Sequence, residues 1–437
     1  MTTPLPASGA SAGLLFDARF RLGIARAAGL SIPRQVATIL LIAFLTYSAI
    51  RVGLHASKDM LGDWGVYYRA GIAMREHRPI YTLEEGPMLT FKNAPIIAVA
   101  AETLSMVPVT AARILFLASD FIVLAALMAM VSRLAAYVPV SKWVPAWIAL
   151  VSLVLVLPYL MLQLYTGQTT VIFLGFTVLA FYLAVHDRPW AAGAALAIAI
   201  CLKVVPLCFV PYLLFTPRPR QALASLLLSL AALLALPALS VGWDSNATLI
   251  AQWPAHLRDT EIPSQAWRLQ NQSMFAEMAR TLSSTGYHIN VVSWDIHSVR
   301  FAWLGLSILS AAVLYAFVYK TRQNPWARAT HLALLIIYMT IFNPLAWRYN
   351  YLALAVPYVV VLTALCHSPR DRLTWVLLAS AVVLTFTPYH AQIYGARLAG
   401  AMMLMAAVIR SFQRASRLRD AGDLLVPRVS DTSRSAC

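Results

Sequence analysis

The chain has 437 residues, 60% of them hydrophobic and only 12% charged, with a mean hydropathy of +0.69. A soluble domain carries about a quarter charged residues, so no aqueous fold needs this much apolar surface and the bilayer must be the solvent for most of it. The net charge of +16 would point to nucleic acid in a soluble protein. Here the Lys and Arg fall in short loops between apolar runs, as in cytoplasmic loops facing anionic lipid, and no basic module for nucleic acid is visible.

In chain order, residues 1–34 read as a cytoplasmic, disordered N-terminus carrying Arg19, Arg21, Arg26 and Arg34. The apolar stretch 35–52 has no small-residue cleavage site behind it, so it reads as a first transmembrane helix. An outer loop, 53–93, follows. The short apolar segment 94–107, bounded by Pro95 and Pro108, is expected to lie in the interface or to re-enter. Further spans are expected over 110–130, 143–160 and 169–185.

Residues 189–216 are apolar but have Arg188 before them and Arg218 and Arg220 after them. Positive flanks at both ends place both in the cytoplasm, which one straight crossing cannot satisfy. A pair of short helices that turn back can, with the break at Lys203 and Pro206, because proline lacks the N–H and clashes with the preceding turn. The remaining spans are 221–240, 300–319, 331–342, 351–366, 373–387 and 395–409, with a long polar outer loop at 241–299 and a basic cytoplasmic tail at 412–437.

The expectation is an all-α, polytopic bundle forming a single domain over 35–411. It has about 10 full spans plus the re-entrant pair, about 12 helices in all. Both termini lie inside; 53–93, 162–168, 241–299, 343–350 and 388–394 lie outside. No internal repeat is visible. Cys201, Cys208, Cys366 and Cys437 show no CxxC spacing and no Cys/His cluster, so neither a disulfide framework nor a metal site is expected.

The outer loops hold the candidate chemistry. Asp63 precedes a short amphipathic helix bearing Tyr67, Tyr68 and Arg69. It reads either as an N-cap or as a base that takes a proton from an acceptor hydroxyl. In Tyr165-Thr166-Gly167-Gln168, Gly167 permits a turn and Gln168 offers both donor and acceptor. The run Asn271-Gln272-Ser273 suits a hydroxyl-rich ligand, or is an ordinary polar loop.

Arg348 lies among Trp347, Tyr349 and Asn350. It could hold a phosphate while the rings stack on sugar or prenyl chain, or the group could simply anchor the interface. Lys203, far from either basic flank, is a functional candidate because a charge within the membrane is costly. Phosphate binding and an internal ion pair both remain open for it.

With these residues in view, the chain resembles glycosyltransferase family 87. Its best-known members are polyprenol-phosphate-mannose-dependent α-(1→2)-mannosyltransferases of mycobacterial envelope lipids. The resemblance spans about residues 58–366 and rests on motifs in the family's order. They are Asp63-Trp64-Gly65-Val66-Tyr67-Tyr68-Arg69-Ala70-Gly71 and Gly167-Gln168; Arg188-Pro189-Trp190 with Ala192-Gly193; Leu202-Lys203 before Pro206 and Pro211; and Asn271-Gln272-Ser273. Two departures stand out. The Tyr-x-Tyr-Pro-Pro-like segment is here Phe91-Lys92-Asn93-Ala94-Pro95. The Ser-Trp turn, often followed by histidines, is Ala346-Trp347-Arg348-Tyr349-Asn350, so no histidine role carries over.

The resemblance implies a GT-C fold with a catalytic carboxylate in the first outer loop, here Asp63. It implies an inverting transfer of a hexose, mannose in the best-known members, from a polyprenyl-phosphate sugar to an extracytoplasmic acceptor hydroxyl. Lys203 and Arg348 would bind the donor phosphate. Tyr67, Tyr68, Gln168, Asn271, Gln272, Trp347, Tyr349 and Asn350 would contact substrate. The expected partners are a lipid-linked sugar donor, a glycolipid or glycan acceptor and membrane lipids, with no metal and no cofactor besides the donor. The expected setting is a bacterial plasma membrane. A transporter or flippase for a lipid-linked or anionic solute is the alternative, disfavoured by the missing repeat.

Overall fold

The computed structural model describes residues 62–82, 90–135, 144–260, 266–325 and 327–420, with single positions at Ile39, Ala43, Thr46, Tyr47 and Ile50. The expected N-terminal segment, most of the first span and the end of the basic tail lie outside the described residues. Among them the fold is all-α, with one isolated bridge between Asn271 and Trp347.

The principal helices are α1 (Gly62–Arg75), α2 (Pro95–Ser105), α3 (Val109–Ala135), α4 (Val144–Val154) and α5 (Leu157–Thr166). Then come α6 (Thr170–Val185), α7 (Pro189–Leu202), α8 (Pro219–Ala235), α9 (Trp243–Thr260) and α10 (Met274–Leu282). The last five are α11 (Ile296–Thr321), α12 (Ala327–Ile341), α13 (Ala355–His367), α14 (Arg372–Thr385) and α15 (Ala396–Asp420). Prolines open α2, α7 and α8, where a missing N–H costs nothing and the fixed φ suits the first turn.

Among the described residues, four helical segments are long and apolar enough to cross a membrane: Val109–Ala135, Pro219–Val241, Ile296–Thr321 and Arg348–His367. The count becomes five if the bent pair α4–α5 is one span, and the other apolar helices are shorter. The expected straight span over 143–160 is thus corrected: it bends by 72° near Pro158, and α5 carries the chain on to Thr166. Bare apolar side chains such as Ile122, Leu227, Phe301 and Val313 face outward, as lipid-facing surfaces do. The chain is a multi-pass membrane protein.

Helix α12 is buried around nearly its whole circumference and forms the centre of the bundle, packed on α13 and α15. The segment 189–216 turns back as expected. Helix α7 ends at Leu202, and a 3-10 turn, Val205–Phe209, and a single α-turn, Val210–Leu213, form the return limb in place of a second full helix. Asp187 and Arg218 pair at 3.2 Å, which ties the two ends of this segment together on one side. Helices α7 and α8 then pack closely. A Cβ on Gly193 would strike the backbone of Ala222 and Leu226, so only glycine fits there.

Two of the connecting regions contain helices. The segment 94–107 forms the amphipathic helix α2, laid against α1. The long polar loop is partly helical, with α9 and α10 inside it.

Candidate active site

The site is built from three local features: the first turn of α1, the turn between α5 and α6, and the break after α7. Helix α1 is fixed by its apolar face. Trp64 is fully buried, stacks on Tyr68 at 5.0 Å and lies under the Arg113 guanidinium at 5.3 Å. Gly71 lets α1 touch α2, since a Cβ there would meet the Ala101 carbonyl. The Tyr68 hydroxyl donates to the Val107 carbonyl at 3.3 Å, so this ring braces the helix.

One turn apart on α1, Asp63 and Tyr67 meet the α5–α6 turn. Helix α5 ends at Gly167, whose φ of 66° is left-handed and suits glycine. That places Gln168 and Thr169 against α1. The Tyr67 hydroxyl donates to Gln168 Oε1 at 3.4 Å and lies 3.4 Å from Thr169 Oγ1. Gln168 also acts on the Asp63 carboxylate in favour of its charged form, so its side chain relates the two α1 residues. Asp63 lies inside the helix, in its first turn, with Gln168 as a partner, and not at a free cap. Burial pushes its carboxyl above the ordinary carboxylate range; Gln168, Lys203 and Lys92 pull it back only in part.

Lys203 sits where α7 stops, in extended conformation (φ −160°, ψ 133°). Two carbonyls near the broken helix end gain outside donors. Asn93 Nδ2 donates to Leu202 O, and Ala94 N to Cys201 O at 3.2 Å. The break is therefore satisfied, as non-helical backbone at depth must be. Lys203 Nζ donates to Asn350 Oδ1 at 3.0 Å and lies over the rings of Phe173 (5.2 Å) and Tyr349 (5.6 Å). Among the described residues no carboxylate lies within ion-pair distance of it, although Asp63 is within its electrostatic range. Tyr349 in turn lies within electrostatic range of Asp63 and Tyr67.

Asp63, Tyr67, Gln168, Lys203, Tyr349 and Asn350 thus form one cluster. Lys92, which the sequence reading did not single out as a site residue, acts electrostatically on both Asp63 and Lys203. The signal was a lone cation just before the proline that opens α2.

Other expected site residues are engaged differently. Asn271 and Gln272 are fully buried. Asn271 Nδ2 donates to Ala266 O (3.0 Å) and Pro344 O (2.9 Å), and Gln272 Nε2 to Leu269 O (2.7 Å) and Gln392 O (3.1 Å). Ser273 caps α10 by accepting from Ala276 N. Buried Arg280 donates to the Asn271 carbonyl at 3.0 Å and to Glu277 at 2.5 Å. The strip clasps the 344–351 turn through the Asn271–Trp347 bridge and the Tyr351 hydroxyl, which donates to Gln272 O at 2.7 Å. Half-buried Arg348 acts electrostatically on Tyr159, whose hydroxyl accepts from Arg397 Nε at 3.1 Å.

A half-buried carboxylate and a half-buried lysine thus stand together, among aromatic and amide groups, in a multi-pass membrane bundle. The model of glycosyltransferase family 87 matches residues 91–344, more than half of the chain, and the protein belongs to that family. It is therefore a transferase that takes a sugar from a donor to an acceptor. No curated protein matches the chain. The matched segment holds Lys92, Gln168, Lys203, Asn271 and Gln272. Asp63, Tyr67, Tyr68 and the residues Trp347–Asn350 lie outside it.

Proposed function

We propose that the protein transfers a hexose, with mannose the first candidate, from a polyprenyl-phosphate sugar to an acceptor hydroxyl, with inversion at the anomeric carbon. The fold would be of GT-C type in a bacterial plasma membrane, with both termini cytoplasmic and the site facing the extracytoplasmic side. The donor chain lies in the bilayer, with its phosphate at Lys203 and with Arg348 near the same headgroup. The acceptor oxygen attacks the anomeric carbon and gives its proton to Asp63. The bond from that carbon to the phosphate oxygen breaks, and polyprenyl phosphate leaves with the electron pair. Lys203 and Arg348 offset the charge gathering on the phosphate, the kind of preorganised electrostatics that usually contributes most.

The observation carrying this reading is the setting of Asp63. Burial raises its affinity for a proton, and it faces a lysine without an ion pair among the described residues. A base poised toward working pH is what proton removal in the transition state needs. Tyr67 and Gln168 orient it, while Tyr349 and Asn350 orient Lys203. Trp347 would stack on sugar or prenyl chain. Tyr68, Asn271 and Gln272, expected from the resemblance to touch substrate, are better read as supports, because their polar groups are engaged with backbone carbonyls.

The test is Asp63→Asn in membranes given labelled polyprenyl-phosphate mannose. Transfer to endogenous acceptor should vanish, and transfer at the wild-type rate would remove Asp63 from the mechanism.

A further inference from the structure

Lys203 follows the last residue of α7, where the helical ladder stops, so the helix by itself does not fix the direction of this side chain. The peptide that enters it, between Leu202 and Lys203, is nevertheless held by both of its polar groups. The Lys203 N–H donates to Ala199 O at 2.9 Å, and Leu202 O accepts from Asn93 Nδ2. One residue further along the same crossing segment, Ala94 N donates to Cys201 O at 3.2 Å. These carbonyls belong to the turn that a helix end leaves without partners of its own. At the other end of the lysine, Nζ donates to Asn350 Oδ1 at 3.0 Å.

The crossing segment has its own fixings, from the chain that precedes it and from α9. Asn93 O accepts from the Tyr81 hydroxyl at 2.8 Å, and Lys92 O accepts from Trp253 Nε1 at 3.0 Å. Phe91 is buried, with its ring 5.8 Å from that of Tyr81 and 6.4 Å from that of Tyr67. Tyr81 lies 5.2 Å from the His256 ring on α9. Asn93 therefore has its carbonyl tied to Tyr81 and its side chain tied to the peptide that carries Lys203.

We propose that Asn93 is a positioning residue for Lys203: its side chain fixes the peptide plane from which the lysine departs, and Tyr81 and Trp253 fix the Asn93 segment in turn. This rests on the reading of Lys203 as the group that binds the donor phosphate. Loss of the Asn93 donor frees that peptide to rotate and lets the ammonium drift from the phosphate. A displacement of about 1 Å costs up to about a hundredfold in rate.

The experiment is a double-mutant cycle in purified full-length protein, with labelled polyprenyl-phosphate mannose and membrane acceptor. Asn93→Ala should lower kcat/KM for the donor about tenfold to a hundredfold. Residues that act through one another do not add, so the same change should cost less than about twofold in a Lys203→Met background. Tyr81→Phe removes one hydroxyl and keeps the ring. It should lower kcat/KM for the donor about threefold, again only where Lys203 is present.

Wild-type kcat/KM in Asn93→Ala, or an equal loss in both backgrounds, would overturn the proposal. If Asn93→Ala does not fold, the Tyr81→Phe cycle decides: a loss confined to the Lys203 background supports the proposal, and no loss or an additive one overturns it. Failure of the wider reading looks different. Lys203→Met alone would then keep wild-type kcat/KM for the donor, and the inference about Asn93 would fall with it.

Discussion

Two polar regions of this protein look alike in sequence and behave differently in the fold. The strip Asn271-Gln272-Ser273 with Arg280 is buried, and each residue spends side-chain donors on carbonyls of the chain or on Glu277. The cluster of Asp63, Gln168 and Lys203 is also largely withdrawn from water. Yet among the described residues its lysine is paired with a neutral amide and aromatic faces alone, while its carboxylate is destabilised by burial. The first region spends most of its donors on the chain and acts as a clasp, although Gln272 Oε1 and Arg280 Nε have no hydrogen-bond partner. The second holds opposite charges that act on one another without closing an ion pair among the described residues, which is where a charged substrate gains most.

The sharpest way to break this contrast is to remove one charge from the pocket. Asp63→Asn should lower transfer by about a thousandfold, measured as labelled sugar reaching acceptor. The same variant should not lose stability. A carboxyl whose folded pKa is raised above its unfolded value stabilises the fold only when protonated, below that range. At neutral pH the charged form is a burden that Asn removes, so the thermal midpoint should hold or rise. Next comes Lys203→Met, expected to lower kcat by about a hundredfold, with unfolding little changed, because no buried ion pair is broken.

The clasp should answer in the opposite way. Arg280→Leu strands Glu277 and three backbone carbonyls, so it should cost about 3 kcal/mol or more of stability, read as a lost thermal midpoint. Asn271→Ala should cost about 1–3 kcal/mol, with kcat per folded molecule nearly unchanged. If Asn271→Ala instead abolished turnover in stable protein, the strip would belong to the site and the contrast would fail.

The smallest effect sharpens the pocket itself. The acid limb of kcat/KM should lie above the ordinary aspartate value of 3.8, since Asp63 must be ionised to accept the proton. Gln168→Leu removes an amide that favours the charged carboxylate, so the limb should move further up. A limb that stayed put or moved down would show that Gln168 does not hold the base.

Much of the architecture could be read from local chemistry. A run of apolar residues must find lipid or core wherever it lies, so the membrane character and most helix positions followed from hydropathy. Pro206 cannot continue a regular α-helix, so the break at Lys203 was legible as well, and the paired ends at Asp187 and Arg218 agree with a segment that turns back. Asp63, Gln168 and Lys203 stood out because charge and amide groups are unusual beside such segments.

What the tertiary structure decided is which polar groups are already satisfied. The partners of Asn271 and Gln272 lie about 70 and 120 positions away, at Pro344 and Gln392, and no local pattern announces them. The 72° bend between α4 and α5 and the closeness of Lys92 to the pocket likewise depend on how helices pack. Hydrophobic burial is a property of each segment, so sequence determines it. Hydrogen-bond satisfaction is a property of pairs brought together from afar, so only the folded chain does.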